Sequence, residues 1–227
     1  MSNNQSTNVA ELESQNSNRD QEVSRGILFV VSSPSGGGKG TLIHRVLNTV
    51  AAVSYSVSYT TRAPRSGEKD GVDYFFVTPA RFEELVAGGE FLEWARVHGN
   101  LYGTSRAQVL QEIAERRDII LEVDVQGAAS VRKLVPDSIS IFIVPPSFEV
   151  LRERLLARGT DSPVELELRL RNAPVELRQY VTFDYVIVND DIERAAAQLT
   201  AIISAERARR KRQEQEVKRV AETFPVS

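Results

Sequence analysis

The sequence predicts an α/β fold, a parallel sheet covered by helices on both faces, and three observations carry that prediction. Short runs that are apolar along their whole length, such as "ILFVV" at 27–31 and "ISIFIV" at 139–144, alternate with longer amphipathic stretches. Strands apolar on both faces are those sandwiched between helix layers. The first apolar run also leads through a turn of small residues, "SSPSGGGKGT", straight into an amphipathic stretch. Finally, 227 residues with 41% hydrophobic and 26% charged side chains suit one well-cored domain with tails.

From the N-terminus, residues 1–25 are Ser, Asn, Gln and charge with almost no apolar anchors, so a disordered polar tail is expected. That tail lacks the basic start and apolar core of a secretory signal, and its acidic residues argue against a transit peptide. No apolar run approaches the roughly 20 residues that cross a bilayer, and the chain has no cysteine for disulfides, thiolate metal sites or thiol nucleophiles. A cytoplasmic protein with no membrane partner is expected. The formal net charge of −3 offers no global attraction to nucleic acid.

Strands are predicted over 27–32, 55–59, 73–77, 118–124, 139–144 and 184–188, and helices over 39–50, 79–88, 105–116, 126–135, 147–158, 163–179 and 191–212. Between the second and fourth strands lies a stretch rich in glycine and aromatics, with shorter and more alternating strands. It reads as a subdomain of residues 56–104 inserted into a core of 26–55, 105–145 and 180–206. In the helical stretch 146–179, Ser162 or Asp161 caps a restart after "RGT" and Pro163 suits the first turn, so two helices joined by a short turn are expected. Pro174 removes a backbone donor inside the second of them and should kink it. Residues 207–227 carry a basic block, Arg207 and Arg209 to Arg212, read as a solvated helical extension in preference to an RNA contact.

The turn after the first strand has the chemistry of an anion nest. Pro34, Ser35, Gly36, Gly37 and Gly38 let backbone N–H groups converge, and the following helix N-terminus adds partial positive charge. Lys39 can then reach the β- and γ-phosphates of a nucleotide, and the Thr41 hydroxyl can serve phosphate or Mg2+. Two departures from G-x-x-x-x-G-K-[ST] stand out: Ser33 replaces the first glycine, and Gly40 follows the lysine, which moves the hydroxyl one place on.

The inserted stretch suits a nucleoside monophosphate. Arg62 and Arg65 flank a proline, and two guanidinium forks can hold a phosphate dianion, with phenolic help from Tyr74 and Tyr102. Glu93, with Ser58 and Thr104, matches guanine better than adenine, because a carboxylate accepts from the guanine N1 and N2 donors but meets a bare lone pair on adenine. Trp94 and "YFF" at 74–76 are assigned mainly to core. "LEVDVQGA" ends a buried strand in Glu122 and Asp124, at the end where α/β proteins bind ligands. Glu122 is read either as a magnesium or base contact or as a solvated strand end.

The succession "SSPSGGGKGT", "SVSYTTRAPRSGEKDGVDYFFV", "GEFLEWARVHGNLYGTS", "LEVDVQGA", "RGTDS" and "VIVND" resembles guanylate kinase from about Gly26 to Ile203. The resemblance implies the phosphate-loop, nucleoside-monophosphate-kinase fold: a parallel-sheet core, a mixed α+β GMP-binding insertion and a helical lid. The implied reaction is in-line transfer of the γ-phosphoryl group of ATP to GMP, with Mg2+. GMP contacts then fall on Ser58, Arg62, Arg65, Tyr74, Glu93, Tyr102, Thr104 and Asp124. ATP contacts fall on the loop from Pro34 to Thr41, including Gly40, on Arg154 near the base or phosphates, and on Asn189 near the adenine. Lys39, Arg62, Arg158 and Arg169 neutralise the transferring group, and Thr41 is the metal candidate. A non-catalytic guanylate-kinase-like binding module is the chief rival; the intact Gly38, Lys39 and Thr41 weigh against it.

Overall fold

The computed structural model describes residues 25–225 except 66, 98, 160 and 161. The polar segment 1–24 and Asp161 therefore lie outside the described residues.

Two sheets organise the chain. The larger contains β1 (Leu28–Ser32), β2 (Val53–Tyr55), β7 (Asp118–Glu122), β8 (Ile139–Val144) and β9 (Tyr185–Val188), in the order β2-β7-β1-β8-β9. Every pairing in it is parallel, with Leu28 opposite Ile119 and Val31 opposite Ile141. Alternation along β1 sends Phe29 and Val31 to one face and Leu28 and Val30 to the other. On the first face Leu42, Ile43 and Val46 of α1 (Lys39–Leu47) and Ala195, Leu199 and Ile203 of α7 (Ile192–Arg207) complete a core. On the second, Val109 of α3 (Arg106–Ala114) and Ala128 and Val131 of α4 (Val125–Leu134) do so. The three-layer α/β arrangement expected from the apolar runs is thus present.

The smaller sheet runs β4-β3-β6-β5, from β3 (Tyr59–Thr60), β4 (Phe75–Phe76), β5 (Phe91–Val97) and β6 (Asn100–Ser105). Its pairings are antiparallel except between β3 and β4. With α2 (Pro79–Ala87) it encloses a separate core of Phe82, Phe91 and Leu101. The predicted strand 55–59 is two strands, one in each sheet, and 73–77 shrinks to two residues. The β5–β6 hairpin was missed as strands because its signals are irregular: a bulge between Phe91 and Glu93, and asparagine and glycine within β6. Trp94 is not core. It points outward from β5 at 49% exposure, while Glu93 and Ala95 on either side are buried. Phe75 and Phe76 are half-buried, Phe75 stacked on Tyr59.

Helices α5 (Phe148–Arg158) and α6 (Pro163–Leu177) meet over a small core of Leu151, Leu155 and Ala173. Ser162 and Glu165 form a reciprocal capping box at the start of α6, with Pro163 at its first turn. The helix continues through Pro174 to Leu177 and tightens into a 3₁₀ turn only from Arg178, so the proline does not end it.

The predicted helix 191–212 is two helices, α7 and α8 (Arg210–Ala221), with Arg209 in an extended conformation between them. The basic block at this break is not simply solvated. Arg207 pairs with Asp118 at 2.7 Å and donates to the Ala51 and Ala52 carbonyls, and Arg209 pairs at 2.8 Å with the buried Glu206.

Candidate active site

β1 ends at Ser32 and the chain turns through Ser33–Gly38 into α1. Gly38 caps that helix at φ 87°, and a Cβ there would lie 2.5 Å from the Asn189 amide nitrogen, so backbone conformation and space both demand glycine. The Gly37 N–H donates to the Pro34 carbonyl at 2.9 Å and closes the turn, so this amide is not among those facing outward. Buried Asn189 donates to the Gly37 carbonyl at 3.0 Å, and Arg154 donates to the Asn189 carbonyl at 2.8 Å. These two residues, expected against the nucleotide, brace the loop, and both also line the cleft beside it.

Two clefts adjoin at this loop. One, of about 160 Å³, is lined by Ser58, Arg62, Arg65, Tyr74, Glu93, Tyr102 and Asp124 on one wall and by Ser35, Lys39, Arg158 and Arg169 on the other. The second, of about 890 Å³, runs along Gly36–Thr41 to Arg154 and Asn189. Ser33, Gly36, Lys39, Glu122 and Arg158 line both. Pro34 is buried in the turn and lines neither.

Where the clefts meet, Lys39 Nζ lies 3.4 Å from Glu122 Oε1, and the Tyr55 hydroxyl donates to Glu122 Oε2 at 3.1 Å. Burial first, and then the Glu122 charge, push the Tyr55 hydroxyl well above its ordinary range, so it remains a donor. Glu122 is therefore no solvated strand end; its side chain is 15% exposed. A Cβ on Gly40 would touch this carboxylate at 3.4 Å, so Glu122 stands beside the position where the standard motif carries its hydroxyl. Among the described residues no cluster of three acidic or imidazole groups could enclose a metal. A carboxylate and the exposed Thr41 hydroxyl fit an ion held chiefly by phosphate oxygens and water, as Mg2+ usually is.

In the first cleft, Glu93 is 7% exposed and accepts from the Thr104 hydroxyl at 2.6 Å; Thr104 reaches the site through it. Burial raises the Glu93 pKa to about 7, the Thr104 bond opposes this, and the nearby Asp124 adds to the rise. Glu93 Oε2 abuts the backbone of α4, where a Cβ on Gly127 would lie 2.8 Å from it. Asp124 caps that helix by accepting from the Gly127 N–H at 2.9 Å. Tyr74 and Tyr102 meet edge to face at 6.0 Å, and burial above all raises the Tyr74 pKa, keeping it a donor.

Arg62 lines the cleft but is paired within its own loop. Its fork closes on Glu68 by two 2.9 Å bonds, Glu68 also accepts from the Arg65 N–H at 2.7 Å, and the guanidinium lies over the Tyr74 ring. Burial is the largest single influence on Arg62 and works against its charged form, but the bond to Glu68 and the interactions with Tyr102 and the Glu68 charge together outweigh it and raise the pKa. Opposite, Arg169 donates to the Ser35 hydroxyl at 2.5 Å and Glu176 accepts from the Ser35 N–H at 3.0 Å. Arg158, at the exposed end of α5, has no hydrogen bond or ion pair among the described residues. Tyr55, Glu68, Gly127 and Glu176 were missed in the sequence. Only Glu68, in the same loop as Arg62, had a local signal as a counter-charge.

The family model for guanylate kinase matches residues 25–206. The chain is 51% identical over 185 residues to the guanylate kinase of Symbiobacterium thermophilum, covering 82% of this chain and 88% of that protein. It is 46% identical over 195 residues to that of Thermotoga maritima, covering 86% and 94%. A crystal structure of guanylate kinase from Anaplasma phagocytophilum superimposes with a TM-score of 0.74 at 36% identity, covering 90% of this chain and 98% of that one. The chain belongs to the guanylate kinase family.

Proposed function

We propose that this chain moves the γ-phosphoryl group of ATP to GMP, giving ADP and GDP, with GMP in the smaller cleft and ATP along the larger one. The observation that carries this placement is that the two clefts meet at Lys39, Glu122 and Arg158. A reacting phosphoryl group there would touch both nucleotides.

An oxygen of the GMP phosphate attacks the γ-phosphorus and the ADP oxygen leaves, so no covalent enzyme intermediate is needed. Catalysis then consists of positioning and of neutralising charge on the equatorial oxygens. Lys39 and the outward amides of the loop hold the β- and γ-phosphates. Arg158 and Arg169 approach from the helical lid, and its closure excludes water that would otherwise take the phosphoryl group. Arg62 and Arg65, with the Tyr74 and Tyr102 hydroxyls, hold the GMP phosphate, for which Arg62 exchanges Glu68 as partner. Ionised Glu93 accepts from guanine N1 and N2, with Ser58, Thr104 and Asp124 completing the base site. Glu122 and Thr41 would stand beside a Mg2+ ion arriving with ATP, which would supply further charge neutralisation when bound.

Within the domain 26–206, the insertion 56–104 and the lid 146–179 are read as separate working units on a core of 26–55, 105–145 and 180–206. Among the described residues no helix is long and apolar enough to cross a membrane, which accords with the cytoplasmic placement proposed here. The test is ADP release by the full chain with ATP and Mg2+, offering GMP, AMP, CMP and UMP in turn. Turnover confined to GMP is expected. Equal use of AMP would overturn the base assignment, and GMP binding without turnover would point to a binding module.

A further inference from the structure

At the opposite pole of the large sheet, where β1, β2 and β7 begin, a third cleft of about 210 Å³ opens between Arg25, Gly26, Ile27, Ala52, Arg116, Asp118, Arg207 and Arg212. Four arginines and one aspartate line it, a local charge of +3 on a chain whose formal net charge is −3. The aspartate cannot neutralise the rest. Asp118 Oδ1 accepts from the Ile27 N–H at 2.7 Å and Oδ2 from Arg207 Nε at 2.7 Å. Of the other carboxylates nearby, Glu206 holds Arg209 and the Tyr185 hydroxyl through Oε1 while its buried Oε2 has no hydrogen-bond partner among the described residues, and Asp137 pairs with Lys211 at 3.8 Å.

The remaining arginines are under-satisfied. Arg212 donates to the Arg25 carbonyl at 3.2 Å, but its buried Nε has no hydrogen-bond partner among the described residues. Burial lowers the Arg212 pKa, although Asp118, Glu206 and Asp137 pull the other way. The side chains of Arg25 and Arg116 have no partner among the described residues. A buried donor left unsatisfied is costly, and guanidinium groups that outnumber the carboxylates lining their cleft are satisfied best by a multivalent oxyanion.

We propose that this cleft binds a phosphate-type oxyanion, with Arg25, Arg116 and Arg212 as its ligands and the Arg207–Asp118 pair as its floor. Arg212 lies on α8 and Arg116 follows α3, so the bound ion ties the C-terminal helix to the base of the sheet. Arg207 and Arg212 lie beyond the residues matched by the family model. The site is separate from both nucleotide clefts, and its existence does not depend on how those are assigned.

The test is calorimetric titration of the full chain with inorganic pyrophosphate while GMP and ADP fill the nucleotide clefts, with inorganic phosphate in a parallel arm. A saturable site is expected, weakened at least tenfold in the Arg116→Ser, Arg212→Gln double variant, whose kinase turnover stays within twofold of the parent. Should the double variant fail to fold, Arg116→Ser alone, on an exposed side chain, should weaken binding about threefold. Equal binding by parent and variant, or no saturable binding by the parent, overturns the proposal. So does binding of a long polyanion such as heparin without binding of either small ion.

Discussion

The two walls of the smaller cleft are built differently. The insertion has its own sheet, an aromatic core and the Glu93–Thr104 pair, both buried and bonded to each other. The lid packs around Leu151, Leu155 and Ala173, with Leu166 and Leu170 partly buried against them and no aromatic ring, and it meets Ser35 of the loop through polar contacts. Buried apolar area sets most of the stability of an element, so on the proposed reading the lid is the part expected to open at lower cost. On that reading, recognition falls on a pre-formed wall and charge neutralisation on a yielding one.

The largest effect expected bears on the line where the walls meet. Lys39→Ala should lower turnover by on the order of 10³-fold while the GMP dissociation constant stays within about twofold. A near-normal rate would remove Lys39 from the reacting group, and measurement of both quantities on one preparation decides it.

On the lid side, Arg158→Ala or Arg169→Ala should each lower kcat by about 10²-fold with GMP affinity unchanged. Parallel loss of GMP affinity, seen in equilibrium titration, would mean that the lid also recognises substrate, and the contrast between the walls would fail.

On the insertion side, Glu93→Gln should raise the KM for GMP about tenfold or more and relax rejection of AMP, with kcat at saturation little changed. Its pH dependence sharpens the point. The pKa of Glu93 is raised to about 7, so below that pH the carboxyl is protonated and cannot accept two guanine donors. The parent KM for GMP should fall as pH rises from 6 to 8, and the variant's should stay flat. The sign for stability is opposite. A raised carboxyl pKa means the folded chain keeps a proton that the unfolded chain has lost, so stability falls between about pH 4.5 and 7, by about 3 kcal/mol at most. Glu93→Gln should remove this loss, as a denaturant series across that range would register.

The smallest effect expected is at the contact between Glu93 and α4. Gly127→Ala places a methyl 2.8 Å from Glu93 Oε2, and the carboxylate must shift. The KM for GMP should rise a few-fold (about two to five) with kcat unchanged. An unchanged KM would show that the base wall yields as easily as the lid.

Much of the molecule was determined by sequence alone, because the rules involved act within a few residues. Apolar runs such as 27–31 and 139–144 announce buried parallel strands, Gly38 is required where the chain enters a left-handed turn, and Ser162-Pro163 starts a helix. The succession of blocks from the phosphate loop to "VIVND" identified the family in the same way.

Tertiary structure decided what depends on partners distant in sequence. Tyr55 and Glu122 are 67 residues apart, and Ser35 and Glu176 are 141 apart; neither side chain of either pair carries a local sign of the other. The outward turn of Trp94 follows from the register of β5, and the break between α7 and α8 occurs where Arg207 and Arg209 are held by Asp118 and Glu206. Local periodicity sets which residues can be buried. Only the completed fold sets which charges meet, because a Coulomb contact a few ångströms long is created by topology and not by spacing along the chain.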